Sequence, residues 1–128
     1  MLGVINVEPE ERNKIIEEIR LNNIKIERKR LEDLEKRRLK ALEKAKHVAE
    51  LLKRDYKATK VTLFGSLAGG DFREHSDIDI YIEGFQGNFF RAWAEADRLG
   101  EDIEINLVCD EDAHDGLKES VLKDGIAL

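Results

Sequence analysis

Cysteine, proline and methionine each occur only once in this chain of 128 residues. The lone Cys109 excludes a disulfide within the chain, and one cysteine with three scattered histidines does not have the ligand spacing of a zinc site. No apolar run approaches the length of a membrane-spanning helix, and residues 1–7 lack the basic start and apolar centre of a signal peptide. We therefore expect a cytoplasmic protein that makes no contact with a membrane.

Positive charge is scarce in the second half of the chain. Residues 59–128 contain 6 Lys and Arg against 16 Asp and Glu, whereas residues 1–58 contain 16 against 12. An acidic surface repels a nucleic-acid backbone, because binding along phosphates needs clustered Lys and Arg. The basic groups of the first half are interleaved with acids, as on the solvated face of a helix. Nucleic acid is therefore not an expected partner.

A long helix is predicted ahead of the acidic half. Residues 1–7 are short and apolar, and we interpret them as an added strand or a frayed end. Pro9 suits the first turn of a helix, and neither glycine nor proline follows it before Gly65. The helix is expected to reach about Lys57, either in one piece or with a break at residues 21–23, which are poor helix formers.

The two parts of this helix are predicted to differ in role. From about Leu42, apolar residues recur at helical spacing, which predicts packing against a sheet. Before it, apolar residues stand among charges with nothing evident in the domain to cover them. We expect this earlier part either to meet a partner or a second copy, or to be a solvated helix stabilised by charge pairs. The chain is accordingly divided into a helical extension, residues 1–41, and a domain, residues 42–128. The apolar residues in question are Ile15, Ile16, Ile19, Ile24 and Ile26.

Two predicted strands flank a glycine-rich turn, and the other predicted elements are expected to pack around this segment. Val61 and Leu63 alternate with polar residues before the turn, as do Ile78, Ile80 and Ile82 after it. That alternation is the period of a strand with one buried face.

Two carboxylates lie on the other face of the second strand, because Asp77 and Asp79 alternate with its isoleucines. They repel one another unless a cation lies between them, and Mg²⁺ is a hard ion that carboxylates bind. Across the turn, Gly65 permits close approach of the backbone, and Ser66 offers a hydroxyl at a predicted helix N-terminus, where phosphate is favoured. The pattern predicts a site for a phosphate-bearing ligand and Mg²⁺.

Helical and strand patterns alternate after this motif. Asn88 is the expected cap of a helix that ends at Gly100. A third strand, a last helix over residues 113–123 and an edge strand at residues 126–128 follow. This order predicts an α/β domain. The third strand contains Ile103, Ile105 and Leu107, and the expected core residues of the Asn88-capped helix are Phe89, Phe90, Trp93 and Ala96.

Gly65-Ser66 is followed by ten residues and then by Asp77-Ile78-Asp79. This spacing resembles the signature of the DNA polymerase beta-type nucleotidyltransferases, which is Gly-Ser, ten residues and Asp-X-Asp. Within that superfamily the chain is similar to the minimal nucleotidyltransferases from about Val61 to Leu128. The resemblance implies an α/β (α+β), polymerase beta-like fold with a small mixed sheet flanked by helices, here with a long N-terminal helical extension.

The third carboxylate of the family is where this sequence departs from the pattern. In the family it lies on the strand after the intervening helix, binds metal and draws the proton from the nucleophile. The residues that follow place Asn106 at that position, and asparagine is not a general base. Either Glu104, two residues away on the same face, replaces it, or catalysis is impaired while nucleotide binding survives. Gly69 is a second departure, since the family often has arginine there.

The resemblance implies an antitoxin-type nucleotidyltransferase that moves AMP from Mg²⁺-bound ATP to a hydroxyl of a partner protein, a helical toxin of the HEPN type. Asp77, Asp79 and Glu104 would bind Mg²⁺ and carry catalysis, and Gly65 and Ser66 would bind the nucleotide. The alternative is a catalytically impaired module that neutralises its partner by contact through the N-terminal helix. A transferase acting on an aminoglycoside or an RNA end is disfavoured, because no second substrate domain is evident.

Overall fold

The computed structural model describes residues 8–128, so the predicted strand or frayed end at residues 1–7 lies outside the described residues. Helix α1, Pro9–Asp55, is continuous, and the break considered at residues 21–23 does not occur. Its first turn carries acids and its last turn carries bases, as the helix dipole favours. Within residues 8–128, no helix has an apolar stretch long enough to span a bilayer.

Contacts divide the chain into two compact units, one ending at Asp33 and one covering Leu34–Leu128. The predicted boundary between residues 41 and 42 stays a prediction, because α1 runs through both positions without a structural break.

Short elements follow α1 and build the second unit. The helices are α2, Gly65–Gly69; α3, Phe89–Gly100; and α4, Asp115–Asp124. The strands are β1, Lys60–Phe64; β2, Ile78–Glu83; β3, Ile105–Cys109; and β4, Ile126–Ala127. A 3₁₀ turn over Asp110–Asp112 connects β3 to α4.

The strands form one mixed sheet in the order β3-β2-β1-β4. β1 is antiparallel to β2 and to β4, whereas β2 is parallel to β3. A parallel pair needs a crossover connection, and α3 supplies it. The predicted edge strand is present as β4, and the small mixed sheet flanked by helices confirms the predicted fold class.

One face of the sheet packs against α1 and α3. The strand residues predicted to be buried are buried, including Leu63, Ile80 and Ile82. Burial in α1 begins at Ala41, next to the predicted Leu42, and small residues there let the helix approach the sheet closely. The ammonium of Lys44 donates a hydrogen bond to the carbonyl of Gly100 at 2.7 Å, which stabilises the C-terminus of α3.

Helix α3 has the predicted ends, but two of its aromatic residues are not in the core. The side chain of Asn88 accepts a hydrogen bond from the Arg91 amide at 3.1 Å, as expected of a cap. Phe90 is 79% exposed and Trp93 is 44% exposed, so the prediction that they pack on the sheet was wrong. The prediction was correct for Ala96, which is fully buried, and for Phe89, which packs against the core. Ala92 is also buried, because it lies four residues before Ala96 on the same helix face.

The other face of the sheet is partly covered by α4. Thr62 of β1 lies on this face and is 4% exposed, and its hydroxyl has no hydrogen-bond partner in the described part of the chain. A buried hydroxyl without a partner loses its hydration without compensation, which destabilises the folded state.

Replacing Thr62 by valine is therefore expected to raise the free energy of unfolding by about 1 kcal/mol, because valine keeps the shape and removes the polar group. Urea unfolding measures this change. Thr59→Val is the matched control, since the Thr59 hydroxyl donates to the carbonyl of Glu83 at 3.1 Å and its removal should not stabilise. An equal effect of both substitutions would contradict the prediction.

Candidate functional site

The glycine-rich turn and the second aspartate are brought together by the pairing of β1 with β2. Phe64, the last residue of β1, pairs with Asp79, so the next residue, Gly65, starts α2 beside the Asp79 carboxylate. Gly65 has a φ of +74°, and a Cβ on it would overlap Oδ2 of Asp79. Only glycine fits this position, because any side chain would meet both backbone strain and the carboxylate.

Asn106 connects the two aspartates. It pairs with Asp79 across the parallel strands β2 and β3. Its side-chain amide donates to Oδ2 of Asp77 at 3.3 Å and to Oδ1 of Asp79 at 3.1 Å. All three side chains are half-buried. The amide group thus places partial positive charge between two carboxylates, where the sequence predicts a cation.

The electrostatics of the site disfavour a negative charge on Asp79. Burial raises the pKa of its carboxyl above the ordinary value, and the neighbouring Asp77 raises it further. The hydrogen bond from Asn106 acts in the opposite direction and offsets only part of this effect. A carboxylate that is costly to ionise binds a cation favourably, because the cation stabilises its charged form.

The structure brings together most of the predicted site residues. Asp77, Asp79 and Gly65 lie together, with Ser66 next in the chain. Glu104 precedes β3 with an exposed side chain, and its carbonyl accepts a hydrogen bond from the Ile78 amide at 2.9 Å.

Within residues 8–128, no three acidic, histidine or cysteine side chains are grouped so as to bind a metal. The third ligand, Glu104, and the Mg²⁺ site as a whole therefore stay predictions.

A cavity of about 360 Å³ opens on the same face of the sheet as the aspartates. Tyr81 lines it and follows Asp79 by two residues of β2, which places it about 7 Å further along the strand. Tyr81 is 6% exposed, yet its hydroxyl forms no hydrogen bond with any described residue. A phenol is protonated at neutral pH and can donate a hydrogen bond. Burial, and then the charges of Asp110 and Glu83, raise the pKa of Tyr81 further.

This cavity was not predicted from the sequence. The signal that could have indicated it is the alternation of Asp79, Tyr81 and Glu83 in β2, which gives one strand face a continuous polar character. Its walls come from β1, β2, β4, α4 and the 3₁₀ turn, and the charged side chains among them are Lys60, Glu83, Asp110 and Lys118.

Residues 46–128 match a protein-family model described as polymerase beta, nucleotidyltransferase. A Methanocaldococcus jannaschii protein named "Putative protein adenylyltransferase MJ1379" is 34% identical over 82 residues, which are 59% of this chain and 81% of that protein.

Two solved structures are also similar. One, described as a "putative minimal nucleotidyltransferase", has a TM-score of 0.54 and 30% identity over 77% of this chain and 95% of its own. The other, described as a toxin-antitoxin with AMP-PNP, has a TM-score of 0.52 and 28% identity over 63% of this chain and 69% of its own. The resemblance read from the sequence is confirmed.

Gly65→Ala is expected to destabilise the second unit by about 2 kcal/mol or more, because a methyl group is strained at this φ and overlaps the Asp79 carboxylate. Thermal unfolding measures the loss. Gly69→Ala is the control in the same short helix, since its added Cβ meets nothing within 4 Å. Gly70→Ala separates the effect of backbone strain from that of overlap, because Gly70 has a φ of +80° but an added Cβ there meets nothing within 4 Å. Equal stability of the Gly65 and Gly69 variants would rule out the close approach.

Asp79→Asn is expected to change the pH dependence of stability. The raised pKa of Asp79 means that its contribution to stability is present below the ordinary aspartate pKa and is lost as pH rises through the folded-state value. Asparagine does not titrate, so the variant should gain stability relative to wild type between about pH 4 and pH 7.

Urea unfolding in metal-free buffer at both pH values tests this expectation. Asp97→Asn, at an exposed position of α3, is the control. A loss of stability of Asp79→Asn relative to wild type as pH rises from about 4 to about 7, or no relative change, would contradict the assigned direction.

Proposed function

We propose, because this chain belongs to the polymerase beta nucleotidyltransferase family, that it moves AMP from Mg²⁺-bound ATP to a hydroxyl group of a partner protein. The observation that carries this proposal is the contact of the Gly65 backbone with the Asp79 carboxylate, which joins the two halves of the signature in one site.

The similar proteins support the finer parts of this proposal. The Methanocaldococcus jannaschii relative is named as a protein adenylyltransferase, which indicates a protein as the acceptor. The similar toxin-antitoxin structure contains AMP-PNP, an ATP analogue, which favours ATP as the donor and a toxin as the partner. We propose a helical toxin of the HEPN type, as the sequence resemblance implies.

The residues of the site fit one Mg²⁺ ion. Mg²⁺ in nucleotide sites is held by one or two carboxylates together with substrate phosphates, and Asp77 and Asp79 provide two carboxylates. When bound, the ion supplies a Lewis acid that neutralises phosphate charge. Gly65 and Ser66 orient the triphosphate through their backbone amides and the serine hydroxyl.

The cavity at Tyr81, on the same face of the sheet as Asp79, suits the acceptor. Displacement at the α-phosphorus is in line, so the attacking oxygen and the leaving pyrophosphate lie on opposite sides of it. Along the β1–β2 pair, Gly65 and Ser66 lie on one side of Asp79, and Tyr81 with the cavity lies on the other. If the triphosphate binds at the turn, the side with the cavity stays open for the acceptor hydroxyl. Tyr81 can bind this hydroxyl by donating a hydrogen bond to it.

Proton removal from the acceptor is assigned to Glu104. Asn106 cannot take a proton, whereas Glu104 has an exposed carboxylate and a main chain held at Ile78, between the two aspartates.

A second candidate function is a binding module that neutralises its partner by contact alone. The amide of Asn106 favours this candidate, because it occupies the space between the carboxylates without providing a base.

Calorimetric titration with ATP and with GTP, each with and without Mg²⁺, tests the site. ATP binding should require Mg²⁺, and Asp77→Asn and Glu104→Gln should each weaken it by about tenfold or more, or about 1.4 kcal/mol. Asp97→Asn should bind as wild type does. Asn106→Asp should strengthen Mg²⁺-dependent binding, because it adds a third carboxylate. Binding that ignores Mg²⁺ would contradict the transferase.

Mass spectrometry of the co-expressed toxin partner distinguishes the two candidates. The transferase predicts one added AMP on the partner, which Asp77→Asn abolishes together with neutralisation. The contact module predicts that Asp77→Asn still neutralises the partner, with no AMP added, and that deletion of residues 1–30 ends neutralisation.

A further inference from the structure

Four isoleucines form an apolar stripe on α1 within the first unit. Ile15, Ile16, Ile19 and Ile26 are 46% to 59% exposed. With 3.6 residues per turn they fall within an arc of about 100°, and we call them the isoleucine stripe. Leu21 and Ile24 are also exposed but lie on the other side of the helix. An exposed row of branched apolar side chains on one arc is typical of a helix that packs against another helix.

A pair of opposite charges flanks the middle of the stripe. Glu18 and Lys25 lie seven residues apart on the same flank, so they are separated by about two helical turns. Neither side chain forms an ion pair with another described residue. When this flank is read in the reverse direction, Glu18 takes the place of Lys25, so the pair is complementary to itself.

We propose that the isoleucine stripe packs against the same stripe of a second copy of this chain, with the two α1 helices antiparallel. A two-fold axis across such a pair brings the same flank of both helices together with their directions reversed, so Glu18 of each copy faces Lys25 of the other. Charges that flank an apolar seam set the orientation of paired helices, and a parallel pair would not match these two residues.

The position of Asn22, seven residues after Ile15 and at the edge of the stripe, agrees with this arrangement. A pairing of Glu18 with Lys25 places the two-fold axis near residues 21 and 22, so Asn22 of both copies meets at the centre. An asparagine in an apolar seam fixes the register of a helical pair at some cost in stability. The stripe spans only about 16 Å, so the association is weak. This pairing does not depend on the transferase activity.

Sedimentation of the full chain over about 1 to 500 µM tests the pairing, since a weak dimer forms in proportion to concentration. Wild type should dimerise, and Ile19→Lys should raise the dissociation constant at least about tenfold. Leu21→Lys is the matched control on the other side of the helix and should dimerise as wild type does. Circular dichroism confirms that each variant remains helical.

A charge exchange tests the orientation. Glu18→Lys and Lys25→Glu should each weaken self-association, because each creates two like-charge contacts in an antiparallel homodimer. An equimolar mixture of the two variants should recover it, because both contacts of the mixed pair then join opposite charges. A monomeric wild type, a dimer that tolerates Ile19→Lys, or a mixture without recovery would overturn the proposal. The first of these results would leave a different partner as the occupant of the stripe.

Discussion

The contact between the Gly65 backbone and the Asp79 carboxylate is the constraint on which the site depends. It requires the register in which Phe64 pairs with Asp79, and that register is set by the burial of Leu63 and Ile80 on the core face. A slip of one residue would turn both aspartates into the core and the isoleucines out of it. The alternation that builds the core thus also holds the carboxylates on the opposite face, beside the glycine-rich turn.

A residue of the third strand, β3, stabilises the pair of aspartates. Two half-buried carboxylates repel each other, and the amide of Asn106 contacts both from β3. This amide lowers the cost of holding the pair together, although burial still raises the pKa of Asp79. Asn106 holds the carboxylates together but provides no proton acceptor at the position where the sequence resemblance implies one. Asn106 therefore affects both the stability of the aspartate pair and the supply of a proton acceptor in the site.

Helix α1 shows how one continuous element can have two surfaces. From Ala41 onward, small and apolar residues are buried and contribute to the core beneath the sheet. Before residue 33 the apolar side chains are larger, branched and exposed. Burial of such side chains is favourable wherever a complementary surface exists, because the gain is proportional to the apolar area removed from water. The first unit thus carries the exposed apolar side chains for which we propose a second copy as the partner.

Local features of this protein could be predicted from its sequence alone, and features that depend on long-range packing could not. The predictable features are set by residues that are close together in the sequence. They are the strand alternation, the Gly-Ser and Asp-X-Asp spacing, the Asn88 cap and the run without glycine or proline that forms α1. The sequence resemblance placed Asn106 at the third position of the site, and the tertiary structure added that its amide donates to both carboxylates. The tertiary structure also decided that Phe90 and Trp93 are exposed rather than packed on the sheet. It also decided that a cavity opens at Tyr81. These outcomes depend on the parallel register of β2 with β3 and on the rotation of α3 about its axis, and both are set by the summed packing of residues distant in sequence.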